Sequence, residues 1–182
     1  MCVNFLYYAI AIDNTILPAL SDISSEQSKA TTNTSKQVAK LLNYLASNPQ
    51  VEIQYRVSGM QLAIHSDASY LSVTQARSRA SGVHFITEGP PEPENPEDFV
   101  PTTNGILIVV CKITQNIMAS AAKAEYGTIF INSQTAVPIR TTLSEMGWPQ
   151  GPTDIQVDCF RSVLDRQTGA SDRQTRVSVV GG

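Results

Sequence analysis

Three carboxylates stand where carboxylates can do chemistry. Asp67 lies at or near the end of a predicted strand, in His65-Ser66-Asp67-Ala68-Ser69-Tyr70. Glu125 lies about a turn into a predicted helix, in Ala121-Ala122-Lys123-Ala124-Glu125-Tyr126. Asp158 closes the last predicted strand, Ile155-Gln156-Val157-Asp158. Strand ends gather side chains at one edge of a sheet, and a helix packed beneath can add another. Carboxylates gathered in this way repel unless a cation sits between them, and hard oxygen donors suit Mg²⁺ or Mn²⁺. Two such ions roughly 4 Å apart activate a water and stabilise the leaving oxygen in phosphodiester hydrolysis. Each acid also has a plainer role. A strand-end Asp is more often a turn or cap residue, and a Glu near a helix start serves the macrodipole.

Basic and aromatic groups can be weighed in the same way. Arg77 and Arg79 follow the Asp67 strand, and Lys112 follows an apolar one. Each could touch phosphates, and each also reads as a solvated or snorkelling side chain. His65 shares its side of the strand with Asp67. It could contact substrate or tune Asp67, or be a half-buried neutral histidine. His84 reads as a surface histidine and Trp148 as packing. The nucleotide-binding loops, the serine-hydrolase elbow and the H-E-x-x-H helix are absent. Two histidines argue against a His-rich metal site. Cys2, Cys111 and Cys159 are too dispersed for structural zinc, and their odd number argues against a disulfide scaffold. A reducing compartment is the default.

The elements that must position these groups are legible from periodicity. The chain has 182 residues, 42% of them apolar and 16% charged, with a net charge of -3. That suffices for a core and excludes a histone-like basic surface. Residues 5–12 are apolar on most sides, are too short for the ~20 residues of a bilayer span, and follow no basic residue. They predict a core helix, and the protein is expected to be soluble and intracellular. A short second helix is predicted over 15–23, with Pro18 in its first turn. Val38, Leu41, Leu42 and Leu45 mark a third helix, capped by Thr34 or Ser35 and stopped at Asn48-Pro49. Val51, Ile53, Tyr55 and Val57 alternate with polar residues and predict a half-buried strand, followed by a turn at Ser58-Gly59. Leu62 and Ile64 predict a second strand, and residues 82–87 a third. Residues 88–101 hold five prolines and five acids and predict a surface loop. Residues 106–111 form a continuous apolar run that predicts a buried strand. A helix from Ser120 should be interrupted or restarted at Pro138 and stop at Gly147. Ile155 and Val157 mark the last strand. The tail after Asp158 is polar and is expected to be largely mobile.

In this order and spacing the pieces resemble a known family. Those that carry the likeness are Leu6-Tyr7-Tyr8-Ala9, Lys36-Gln37-Val38-Ala39-Lys40-Leu41-Leu42-Asn43-Tyr44-Leu45, the Asp67 segment, Ala76-Arg77-Ser78-Arg79-Ala80-Ser81-Gly82, Val110-Cys111-Lys112, the Glu125 segment from Ser120, and the Asp158 segment. From residue 5 to 158 the chain resembles the C-terminal part of copia-type retrotransposon polyproteins, where the end of the reverse transcriptase region is followed by a ribonuclease H domain. The resemblance implies an α/β (α+β) class: an RNase H-like mixed sheet flanked by helices, preceded by a short helical segment. The division would be 1–50 as the reverse transcriptase end, 51–160 as the RNase H-like domain and 161–182 as a divergent tail. It implies hydrolysis of RNA in RNA–DNA hybrids with Mg²⁺ or Mn²⁺ held by Asp67, Glu125 and Asp158. Arg77, Arg79 and Lys112 would contact the nucleic-acid backbone. The implied partners are the hybrid and the reverse transcriptase part of the parent polyprotein, with no membrane. The implied setting is the cytoplasm or retroelement particles.

The departures are specific. Lys123 stands where the family carries the first of two helix acids, and Cys159 where it carries Asn. Nothing after Cys159 matches the family's basic stretch, final acid or last helix, and neither Asp165 nor Asp172 aligns with that acid. With both ends cut within the family pattern, the resemblance implies a fragment or a decayed element copy. The alternatives are therefore a catalytically inactive remnant that at most binds nucleic acid, and a generic α+β interaction domain.

Overall fold

A computed structural model of the chain describes residues 2–73, 76–89, 102–157 and 175–179. Three helices come first: α1 (Cys2–Ala11), α2 (Leu17–Ser25) and α3 (Thr32–Ser47). Each begins or ends where side-chain chemistry says it should. Asp13 accepts from the Thr15 N–H and so caps the short turn leading into α2, which carries Pro18 near its start. Thr31 caps α3 through a reciprocal box with Thr34, a few residues before the predicted cap, and Asn48 closes it. Ala9, Ile16, Leu17, Leu20, Ile23 and Leu41 form the core these helices share. Among the described residues no helix is long and apolar enough to cross a membrane.

The rest is a mixed sheet with one long helix. Strands β1 (Gln61–Val73), β2 (Arg77–Thr87) and β3 (Ile106–Ile113) run antiparallel in sequence. Helix α4 (Ala121–Glu145) then crosses over to β4 (Thr153–Val157), which lies parallel to β1. β5 (Thr175–Val179) pairs antiparallel with β4, and the sheet order is β3-β2-β1-β4-β5. The class is therefore α+β, with helices against both faces. α4 packs on Leu62, Ile64, Ile155 and Val157 of one face through Ala136 and Leu143. The α1–α3 cluster reaches the other face at Val109 and Cys111 of β3.

Several expectations are corrected. Residues 51–57 form no strand, although their alternation is regular. Val57 is fully exposed, and the segment is tied instead by Tyr55 donating to the Ile106 carbonyl and by the Arg56 backbone bonding the Asn104 amide. A strand needs a ladder partner, and Asn104 supplies only a side-chain clasp. The apolar run of β3 is not a buried strand but, among the described residues, an edge strand of the sheet, with Leu107 and Ile108 exposed. β2 begins at Arg77, five residues before the predicted start at residue 82, so Arg77 and Arg79 are strand residues. α4 runs unbroken through Pro138. Gln134, Val137 and Pro138 are all exposed there, so the hydrogen bond the ring removes lies on the solvent side. Residues 175–179 of the expected mobile tail are a strand. Most of the acidic, proline-rich loop and residues 158–174 lie outside the described residues.

Polar groups set the join between α4 and the sheet. Asn132 is fully buried, and its Nδ2 donates to Ser66 Oγ at 2.9 Å and to the Ser81 carbonyl at 3.1 Å. Its Oδ1 rests against Gly82, where an added Cβ would lie only 2.0 Å away. His84, expected at the surface, is fully buried under the same helix, its Nε2 3.3 Å from the Asn132 carbonyl. At the helix end Arg140 donates to the Gly151 carbonyl and to Thr153 Oγ1 at the start of β4. Gln150 bonds the Leu62 N–H and the Met60 carbonyl, extending the ladder at the foot of β1.

Two outcomes follow for stability. Gly82→Ala should cost about 2 kcal/mol through the clash with Asn132. In urea titrations, pairing it with Asn132→Ala should cost less than the sum of the single losses. Burial lowers the His84 pKa from its ordinary 6.5. Between the lowered value and 6.5 only the unfolded chain binds that proton, so stability should fall as pH drops below about 6.5. Denaturant midpoints at pH 7.5 and 5.5 measure the slope, and His84→Gln should flatten it.

Candidate functional site

Strand alternation and the α4 contacts decide which acids meet. Ser66 faces α4, so its neighbours His65 and Asp67 face the opposite side of the sheet. Asp67 is exposed, one residue past the last β1–β4 pair, Ser66 with Val157. Its backbone is held in register by Ser81 Oγ, which donates to the Asp67 carbonyl at 2.8 Å. Glu125 comes from the second turn of α4, whose start is capped by Ser120 accepting from the Lys123 N–H. Unlike Asp67, Glu125 is only 3% exposed. The Ala68 N–H donates to its Oε1 at 3.3 Å. The two carboxylates thus reach one step of β1 from its two sides, the helix acid at the peptide and the strand acid from the preceding side chain. Asp158 lies outside the described residues.

On the Asp67 side a cavity of about 200 Å³ opens beside the acid, lined by His65, Ser81, Val83 and Gln156 among others. His65 is half-buried, with its ring edge-on to Phe85 at 4.9 Å. Of the expected alternatives for this histidine, the half-buried one describes its packing, and its position on the cavity wall keeps it within reach of a ligand there. Asn132 and Gln156 were not legible as site residues. No motif marks them; the packing of α4 brings Asn132 to Ser66 on one face, and the pairing of β4 with β1 brings Gln156 to the Asp67 cavity on the other.

The cationic candidates have separate fates. Arg79 is bound in an ion pair to Asp22 of α2, with the guanidinium 14% and the carboxylate 47% exposed. It serves to anchor the helical layer to β2. Arg77 is half-buried at the start of β2, paired in register with Val73. Lys112 is exposed near the end of β3, on the α4 side of the sheet. It lines an open groove of about 570 Å³ with Asn116, Phe130 and Gln134. Lys123 is exposed one turn before Gly127, which lines the same groove. Cys111 is half-buried against the helical layer, and burial pushes its thiol pKa up, so the thiol stays protonated near neutrality.

No protein-family model, curated protein or solved structure matches this chain.

Arg79→Met should lower stability by about 1 kcal/mol, the range of partly exposed pairs. In thermal melts Lys112→Ala, which removes no ion pair among the described residues, should leave the melting temperature almost unchanged.

Proposed function

We propose that the chain is a ribonuclease H-type hydrolase domain, akin to the C-terminal part of copia-type retrotransposon polyproteins, acting on the RNA strand of RNA–DNA hybrids with Mg²⁺ or Mn²⁺. The observation that carries this reading is the buried Glu125 carboxylate bonded to the Ala68 N–H, one residue from the exposed Asp67. Burying a carboxylate is costly unless it is hydrogen-bonded or paired, and this one is held by the Ala68 N–H at the end of a strand that presents another acid. A mixed sheet with helices on its faces is also the architecture such a domain needs.

The donor chemistry, hard carboxylate oxygens, suits the group. Asp67 and Glu125 approach β1 from opposite faces, so they would share a metal only beyond the last β1–β4 pair, Ser66 with Val157, with Asp158 as third ligand. Bound there, the metal would polarise the scissile phosphate and lower the pKa of an attacking water. The protein's part is positioning. The Ala68 N–H fixes one Glu125 oxygen, Ser81 fixes the Asp67 backbone, and the A-form shape of the hybrid is met by Lys112 and Arg77 rather than by base readout.

A second reading, an inactive remnant that binds nucleic acid, is favoured by Lys123. It places an exposed cation two residues from Glu125, where the family's motif carries an acid.

Cleavage of a 5′-labelled RNA strand in an RNA–DNA hybrid, with Mg²⁺ or Mn²⁺, decides between them. Wild type should cut the RNA strand. Asp67→Asn, at an exposed position, should retain the fold and lose activity by about 100-fold or more. Folded wild type that cuts nothing while still binding the hybrid establishes the remnant.

A further inference from the structure

The helical layer contains a cleft that the nuclease reading does not use. It lies between α2 and α3, encloses about 410 Å³ and is mostly apolar. That volume falls in the range of small-ligand pockets, ~300–1,000 Å³. Ile16, Ile23 and Leu41 form its floor and are buried. Ala19, exposed on α2, is the short wall residue that leaves the space open.

The polar groups around this floor are few and each has a definite state. Gln37 lines the cleft, and its Oε1 is buried without a hydrogen-bond partner among the described residues. A buried acceptor left unpaired is costly, so the site gains from a ligand that donates to it. Asp22 also lines the cleft, but its charge is answered by Arg79. Lys40 lines it too, is exposed, and has no carboxylate within ion-pair distance among the described residues. Thr15 and Tyr44 close one end through a 3.0 Å hydroxyl contact. The cleft therefore offers an apolar floor, one unsatisfied acceptor and one uncompensated cation.

We propose that this cleft binds a small amphiphilic organic anion. Its aromatic or branched apolar body would lie on Ile16, Ile23 and Leu41, its N–H or O–H would donate to Gln37 Oε1, and its carboxylate or sulfonate would meet Lys40. The site is independent of Asp67 and Glu125, so its failure and the failure of the hydrolase reading are separate results.

The test uses the full chain and 8-anilinonaphthalene-1-sulfonate, which carries a naphthalene body, an anilino N–H and a sulfonate. Titration by fluorescence should saturate at one probe per chain. Ala19→Trp should fill the cleft and abolish that binding. Lys40→Glu should weaken it at least tenfold, and Gln37→Leu should weaken it less. Leu6→Ser with Tyr7→Ser, on the exposed apolar side of α1, should leave it unchanged. Melting curves check each fold. Should Ala19→Trp unfold, the exposed Lys40→Glu decides. Binding that survives Lys40→Glu, or that is lost only with the α1 substitutions, overturns the proposal.

Discussion

The close approach of Asn132 to Gly82 governs the rest of the molecule. A side chain at position 82 would occupy the space of the Asn132 amide. With glycine there, the amide spans the gap between β1 and β2 and bonds a group on each, Ser66 Oγ and the Ser81 carbonyl. Such directional contacts specify one rotation and one height of α4, which an apolar contact alone would leave free to slide. Glu125 stands seven residues before Asn132, two helical turns on the same face. The clamp at Asn132 therefore delivers the Glu125 carboxylate to the Ala68 N–H.

The same face of α4 is polar along much of its length. Glu125, Thr128, Asn132 and the neighbouring His84 are all buried beside Ala124 and Ile129, and apolar packing predominates from Ala136 to Leu143. The helix thus has two halves with different tasks. Its C-terminal half supplies hydrophobic burial against Leu62, Ile64, Ile155 and Val157, and Arg140 secures the turn into β4. Its N-terminal half gives up that burial to hold acids and amides in place. Burial beneath the helix lowers the pKa of His84 and so favours its neutral form.

The opposite face is organised differently. The α1–α3 layer has its own core and meets the sheet through Val109, Cys111 and the Arg79–Asp22 pair. That leaves the β1–β4 part of this face lined by His65, Asp67 and Gln156 around a small cavity. The layer also leaves room within itself, where Ala19 faces α3. This side of the sheet therefore carries Asp67 and its cavity, the α4 side carries Glu125, and the helices beside Asp67 carry a separate cleft.

Local chemistry was legible from the residues alone wherever one segment sufficed. The apolar face of α3, the placement of Pro18, the Ser120 start and Gly147 stop of α4, and the strand character of residues 62–64 and 155–157 all depend on neighbours within a few positions. Asp67 and Glu125 stood out because acids at a strand end and a helix start are informative in themselves. Pairing and burial were not legible, because they depend on residues far along the chain. Residues 51–57 have a strand's alternation but no ladder partner. Residues 106–113 have a buried strand's composition but lie at an edge. His84 looks like a surface residue until α4 covers it, and nothing near Arg79 in the sequence announces its ion pair with Asp22, 57 residues away. A periodic pattern states which face of a segment avoids water. Which segment comes to cover that face is decided only when the whole chain has closed on itself.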